Sequence, residues 1–183
     1  GLPMHPSIFF PYFPNFVSSA EDFIESYNHW SGAIVLTSDT SSGSLINNGP
    51  LWKYKLNEFD NNHLLDGLTQ LVKSYYLAGA EEIMVSASPT MHWKRNENGD
   101  IEEFLSKILA IKNQPYRLLL GSAHQMGTAR INPNPEHGVI DLNGKVHGLE
   151  NVYIVDASTF PRCSGVNPMI SIQSMSHFLM SKI

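Results

Sequence analysis

Charge is scarce in this sequence. Of 183 residues, 16% are charged, against about 25% in a typical soluble domain, and a surface so thinly charged is expected to be covered in part by something outside the chain. The charge present is acidic, net −5 without any basic run, which excludes a nucleic-acid surface and an anionic membrane face. Cysteine is nearly absent: Cys163 stands alone, which excludes an internal disulfide framework and a multi-cysteine zinc site. Of the eight histidines no two stand at i and i+4, so metal catalysis is set aside. No charged segment precedes an apolar run near Gly1, so no signal peptide is expected, and a start without Met suggests a piece of a longer chain. Residues 1–20 lack Asp, Glu, Lys and Arg, but Pro3, Pro6, Pro11 and Pro14 argue against a spanning helix. They read as an extended arm whose Phe9, Phe10, Tyr12, Phe13 and Phe16 lie against a body or line an apolar entrance.

What is present reads as α+β. Ser18-Ser19-Ala20-Glu21 has capping-box spacing and opens a short helix to about Tyr27. Ala33–Thr37 predicts a buried strand, and residues 38–50, rich in Ser, Gly and Asn, a loop. Leu51, Tyr54 and Leu56 alternate with Lys53 and Lys55, as in a half-exposed strand paired antiparallel. Asp60 is placed to cap a long helix in which Leu64, Leu65, Leu68, Leu71 and Val72 recur at helical spacing, ending near Gly79. Glu82–Val85 predicts a strand, 87–100 a polar loop, Ile101–Lys112 an amphipathic helix with Glu102 and Glu103 at its positive end, and Tyr116–Leu120 a further strand.

From residue 121 the texture changes, with Gly121, Gly127, Gly138, Gly144, Gly148 and Gly165 alternating with short apolar runs. Val139–Asp141 and Lys145–His147 form a hairpin about Asn143-Gly144. The apolar run Val152–Val155 predicts a strand in a covered sheet, ending at Asp156. Asn167 as cap and Pro168 at the first helical position open a last helix with Met169, Ile172, Met175 or Ser176, and Leu179 on one face. Three residues stand out chemically. His124 follows the apolar strand at 117–120, where imidazole suits proton abstraction near neutrality, although a lone histidine is more often structural. Asp156, followed by Ala157 and Ser158, fits either an acid that meets a hydroxylated ligand or a strand-end cap. Asn167 fits an ordinary N-cap first of all.

Taken together the blocks say more. Ser122-Ala-His-Gln-Met-Gly-Thr-Ala-Arg130, Gly138-Val-Ile-Asp141, Val146-His-Gly-Leu-Glu-Asn-Val-Tyr-Ile-Val-Asp-Ala-Ser-Thr-Phe-Pro161 and Gly165-Val-Asn-Pro-Met169 occur in this order. They resemble the C-terminal signature of the glucose-methanol-choline (GMC) oxidoreductases, strongly over residues 117–183, and their wording is nearest the long-chain fatty alcohol oxidase branch. Leu2-Pro-Met-His-Pro6 resembles the Leu-x-His-Pro that opens this half in that branch, whereas residues 20–116 match only in element order. Ala129 departs from a frequent Cys, which has no part in the family's catalysis.

The resemblance implies FAD, bound in that family through a G-x-G-x-x-G loop that this sequence lacks. The chain is therefore expected to be the C-terminal part of a flavin-dependent alcohol oxidoreductase. Residues 1–20 are its arm, 21–120 its substrate-binding α+β portion, built on an antiparallel sheet with helices, and 121–183 a segment whose strand and helix complete the Rossmann-like FAD domain. The implied partners are an alcohol substrate and the N-terminal FAD-binding half of the same protein, with membrane association only through the full-length protein. By resemblance, His124 removes the alcohol proton as hydride leaves for the flavin, and Asn167 holds the substrate oxygen with its amide. Asp156 and Ala157 meet the ribityl and phosphate region. Asn167, Pro168 and Met169 bring the start of the last helix to the ring, where its N–H groups and dipole favour negative charge. The expected reaction takes a primary, long-chain alcohol to the aldehyde. The alternatives are a GMC dehydrogenase or oxidase acting on a sugar, sterol or small alcohol, and a non-catalytic apolar-ligand or interaction module. An intracellular location is expected, and Ser181-Lys182-Ile183 resembles the peroxisomal address Ser-Lys-Leu.

Overall fold

The computed structural model describes residues 25–46, 52–112 and 114–183; the expected arm at 1–20, the capping box at 18–21 and Leu51 lie outside them. The chain divides into two compact units, Gly1–Leu120 and Gly121–Ile183. In the first, β1 (Ser44–Leu45) pairs antiparallel with β2 (Trp52–Lys53), and β3 (Glu82–Val85) with β4 (Met91–Lys94). The helices are α1 (Glu58–Leu77) and α2 (Ile101–Leu109). Small antiparallel sheets with helices give the expected α+β class.

The core of this unit gathers Leu65 and Val72 from α1, Ile83, Val85 and Trp93 from the β3–β4 pair, and Ile101, Phe104, Leu105 and Ile108 from α2. Strand β4 falls inside the segment expected to be loop. Its register sets Ile83 opposite Trp93 and Met84 opposite His92, so Trp93 is buried while His92 faces out to Glu82, its Nε2 2.8 Å from the carboxylate. That two-residue alternation is the strand signal hidden in a polar composition. The strand expected at Tyr116–Leu120 is reduced to one bridge, Ala87 to Leu118, because Tyr116 has φ of 61° and cannot extend it. No strand forms at Ala33–Thr37, where Ile34 and Leu36 are exposed. With no ladder to join, Val35 packs against α1, so close over Gly67 that a Cβ there would meet its Cγ1 at 2.6 Å.

The cap of α1 is Asn57, whose side chain accepts from the Asp60 amide at 2.8 Å, and not Asp60, which stands within the first turn. Asp60 is 1% exposed, and its carboxylate accepts from the Thr40 amide at 3.0 Å, the Ser41 amide at 2.8 Å and both hydroxyls. A helix start thus holds the preceding Ser/Thr loop. Helix α2 is capped as an acidic N-terminus should be, by Asp100 on the Glu102 amide, and ends at Leu109, short of the expected Lys112.

In the second unit the Asn143-Gly144 hairpin forms as expected. Gly144 has φ of 85°, the Asp141 amide bonds the Lys145 carbonyl at 2.9 Å, and Ile140 bridges Val146. The run Val152–Val155, however, is not a strand in a covered sheet. Among the described residues it has one strand partner, through the Lys145–Tyr153 bridge, and Val152 and Tyr153 are 42% and 38% exposed. A single bonded neighbour leaves its other edge unpaired, and no packed layer among the described residues closes over these side chains. Helix α3 (Met169–Met180) closes the unit, with Leu179 wholly buried and Met169, expected on the same face, exposed. Among the described residues no helix is long and apolar enough to cross a membrane.

Burial pushes the Asp60 pKa up, but the Ser41 and Thr40 hydrogen bonds outweigh it and hold it below the usual carboxylate value. Ionised Asp60 therefore contributes stability that is complete above its unfolded pKa of about 3.9 and is lost as pH falls through the lower native value. In the full-length protein, amide exchange at Thr40 and Ser41 is expected to accelerate only below that range, and Asp60→Ala to cost about 1–3 kcal/mol in urea unfolding by leaving those amides unpaired. Exchange that is already rapid at neutral pH contradicts the assignment.

Candidate functional site

All the site residues expected from the sequence lie in residues 121–183. His124 is half-buried in a coil following the first unit's last residues, and its backbone N–H points to the Ser122 hydroxyl at 3.4 Å. The chain then turns at Gly127, φ 83°, where a side chain would stand 3.2 Å from the Phe160 carbonyl. Next the Ala129 amide bonds the Ser158 carbonyl at 2.9 Å and the Ile131 amide the Thr159 carbonyl at 3.0 Å. The stretch after His124 is thereby tied to the short 3-10 turn Ala157–Thr159.

Asp156 caps that turn. Its Oδ1 accepts from the Ser158 amide at 2.8 Å and the Ser158 hydroxyl at 2.5 Å, while Oδ2 accepts nothing among the described residues. The Ser158 hydroxyl, then its amide, holds the Asp156 pKa below the usual carboxylate range against a smaller opposing effect of burial. Asp141, the acid of the hairpin, is likewise held low, first by the Asn143 amide at 2.8 Å and, against burial, by the Lys145 amide at 3.0 Å. Ala157 is half-buried in the capped turn.

Asn167 is not the helix cap. Pro168, buried and with φ −91° and ψ 1°, occupies that position and accepts from the Ile172 amide at 2.8 Å. With ψ near 0° and its carbonyl accepting the first helical bond, Pro168 puts the first turn one residue later than expected. No side chain caps α3, and the Asn167 amide is exposed and makes no hydrogen bond among the described residues. Val166 and Met169, on either side, are 65% and 64% exposed. The loop leading in is shaped by Gly165, φ 69°, and by the Ser164 hydroxyl donating to the Val166 carbonyl at 2.5 Å.

Two residues acquire a part that their sequence context barely signals. Ser158 fixes the Asp156 carboxylate, and Ser176 donates from α3 to the carbonyl of Val155, the residue before Asp156. The signal for Ser176 is its place among the apolar residues of one helix face. Segment 155–159 is thus the junction to which both the stretch after His124 and the helix after Asn167 are bonded. The depressions lined by Met91, Trp93 and Phe104, and by Lys145, His147 and Glu150, include none of the expected site residues. Among the described residues no group of His, Cys, Asp or Glu side chains could hold a metal ion. The Ser181-Lys182-Ile183 segment is folded onto the end of α3, with the Lys182 ammonium on the Leu142 carbonyl at 3.1 Å.

A family model described as GMC oxidoreductase matches residues 31–176. Long-chain-alcohol oxidase FAO3 of Arabidopsis thaliana is 31% identical over 163 residues, 86% of this chain and 22% of that protein. Long-chain-alcohol oxidase FAO4A of the same plant is 30% identical over 182 residues, 95% of this chain and 24% of that protein. The 6'''-hydroxyparomomycin C oxidase of Streptomyces lividus is 46% identical over 54 residues, 30% of this chain and 10% of that protein. The chain thus spans less than a quarter of the length of these relatives.

Since the Ser158 hydroxyl leads in holding Asp156 ionised, Ser158→Ala is expected to raise the Asp156 pKa toward the ordinary carboxylate value, read from the carboxyl carbon shift in an NMR titration. An unmoved titration curve contradicts the role of the hydroxyl. Gly138→Ala places a Cβ 2.5 Å from the Asn132 Cβ and 2.7 Å from the Arg130 carbonyl, and is expected to cost about 1–3 kcal/mol in chemical denaturation; wild-type stability would show that this backbone approach is not required.

Proposed function

The chain belongs to the GMC oxidoreductase family, and on that premise we propose that it is the C-terminal part of an FAD-dependent alcohol oxidase in which His124 and Asn167 handle the substrate hydroxyl. The observation that carries this reading is the free amide of Asn167 at the uncapped start of α3. An exposed carboxamide left out of the helix cap that its position suggests is available to a ligand.

The residues present fit the ring side of a flavin. Asn167, the unoccupied first-turn N–H groups after the buried Pro168, and the exposed apolar Val166, Met169 and Ile170 suit a flat, largely apolar ring with a polar edge. Asp156 and Ala157 are assigned to the ribityl and phosphate side, through the unengaged Oδ2. Nothing in the sequence suits the pyrophosphate, so the remainder of the longer protein is proposed to supply the Gly-rich turn, with residues 121–183 completing that FAD-binding domain. When bound, FAD supplies the hydride acceptor. His124 takes the proton from the alcohol oxygen, and the Asn167 amide donates to that same oxygen, so negative charge developing there is met by a donor that does not itself titrate. A primary alcohol with a long apolar chain is favoured by the names of the plant relatives and by the apolar surroundings of Asn167. The short stretch shared with the 6'''-hydroxyparomomycin C oxidase favours a second reading, a different alcohol held by the same two residues.

In the full-length enzyme, His124→Ala is expected to slow alcohol-driven flavin reduction by about 10²-fold or more, the worth of a positioned base, and Asn167→Ala by about 10-fold or more. Stopped-flow reduction at the wild-type rate removes either residue from its role. Expressed alone, residues 1–183 are expected neither to bind FAD at submicromolar concentration nor to turn over a primary alcohol, because the phosphate cradle is missing; stoichiometric binding with turnover would refute the assignment as a partial enzyme.

A further inference from the structure

Helix α3 is anchored through its C-terminal half and carries Asn167 just before its first turn, next to the buried Pro168. Its C-terminal half is anchored: Leu179 is wholly buried, with Gly144 so near that a side chain there would lie 3.6 Å from the Leu179 Cβ and Cδ1, and Lys182, just beyond the helix, reaches the Leu142 carbonyl. Its N-terminal half offers exposed Met169 and Ile170. Between these, Ser176 makes the single side-chain hydrogen bond that leaves α3 among the described residues, to the Val155 carbonyl.

We propose that Ser176 is a positioning residue, which sets the place of the Asn167 amide by locking α3 to the segment that Asp156 and Ser158 shape. The inference rests on the reading of Asn167 as a substrate-binding group. The mechanical chain is continuous: Asn167 leads through Pro168 into a rigid helix, Ser176 fixes that helix to Val155, and the neighbouring turn is bonded to Ala129 and Ile131, downstream of His124. A hydroxyl on an otherwise apolar helix face is poorly explained by packing alone, since alanine would pack there without leaving a hydroxyl to satisfy. Rotation or sliding of α3 about its anchored end displaces the Asn167 end most, and small displacements of a group that must meet a reacting oxygen are costly in rate.

The test is a double-mutant cycle in the full-length holoenzyme. Ser176→Ala is expected to lower kcat about 10-fold with little change in KM, and Ser176→Thr, which keeps the hydroxyl, to restore most of it. In an Asn167→Ala background, Ser176→Ala is expected to cost less than about 2-fold more, because the group it positions is gone. Independently of turnover, amide exchange along the first half of α3 is expected to be faster by about 10-fold in Ser176→Ala. A full further loss of kcat in the Asn167→Ala background, or unchanged exchange, overturns the positioning role alone. No loss in Asn167→Ala by itself overturns the reading of Asn167, and this inference with it. Should Ser176→Ala not accumulate folded, Ser176→Cys, which keeps the volume and weakens the donor, takes its place in the cycle.

Discussion

The backbone hydrogen bonds about Ile140 hold residues 121–183 together. Ile140 is wholly buried and bridges Ile131 on one side and Val146 on the other, and the Asn132 amide bonds its carbonyl at 2.9 Å. Ala129, Leu179, Thr159 and Pro168 are also buried, a very small interior. A segment with so little apolar burial cannot take its shape from a hydrophobic core. Its turns are instead fixed one by one, by carboxylates accepting from nearby amides, by glycines at positive φ, and by isolated bridges in place of ladders. The site residues inherit this construction, since each stands beside a turn specified locally.

The scarcity of charge and the exposure of apolar side chains have a common explanation. Val152, Tyr153, Val166, Met169, Ile170 and Phe178 are all exposed in the second unit, side chains of the kind that a partner surface covers. The chain spans 22–24% of the plant alcohol oxidases it matches, and the proposed FAD-binding remainder is the natural cover. The run Val152–Val155 has the composition of a strand covered on both faces but meets a single bonded neighbour among the described residues.

Much of the local structure was legible in the residues. The Asn143-Gly144 hairpin, strand β3 and the helices around Leu65 and Phe104 were readable because turn chemistry and apolar spacing act within a few residues. The reading failed where the deciding partner lies far along the chain. Ile34 and Leu36 have strand composition and no strand to pair with, and β4 was concealed because His92 and Lys94 supply its polar face to Glu82 across the sheet. Asp60 read as a cap, since from sequence a carboxylate in a first turn cannot be told from one that precedes it; its occupation by Thr40 and Ser41 is a tertiary fact. At the site, the four signature blocks announced the family and pointed to His124 and Asn167, while the parts of Ser158, inside one of those blocks, and of Ser176 emerge only from their partners, the Asp156 carboxylate and the Val155 carbonyl.

The chemical logic of the role proposed for Asn167 follows from what the alternatives would do. A carboxylate there would repel the charge that develops on an alcohol oxygen as its proton leaves, and a second imidazole would compete for that proton. A carboxamide does neither; it donates at any pH at which the chain is folded. Its usefulness depends on not being spent elsewhere, and Pro168 secures this. By occupying the cap position itself, with no N–H of its own to satisfy, the proline frees the asparagine from the duty that an Asn at a helix start ordinarily performs. Pro168 is buried while the amide beside it is exposed, so the donor keeps its access to solvent. Because no side chain among the described residues caps the helix start, a ligand held as proposed by Asn167 would also lie within the favourable field of its N–H groups.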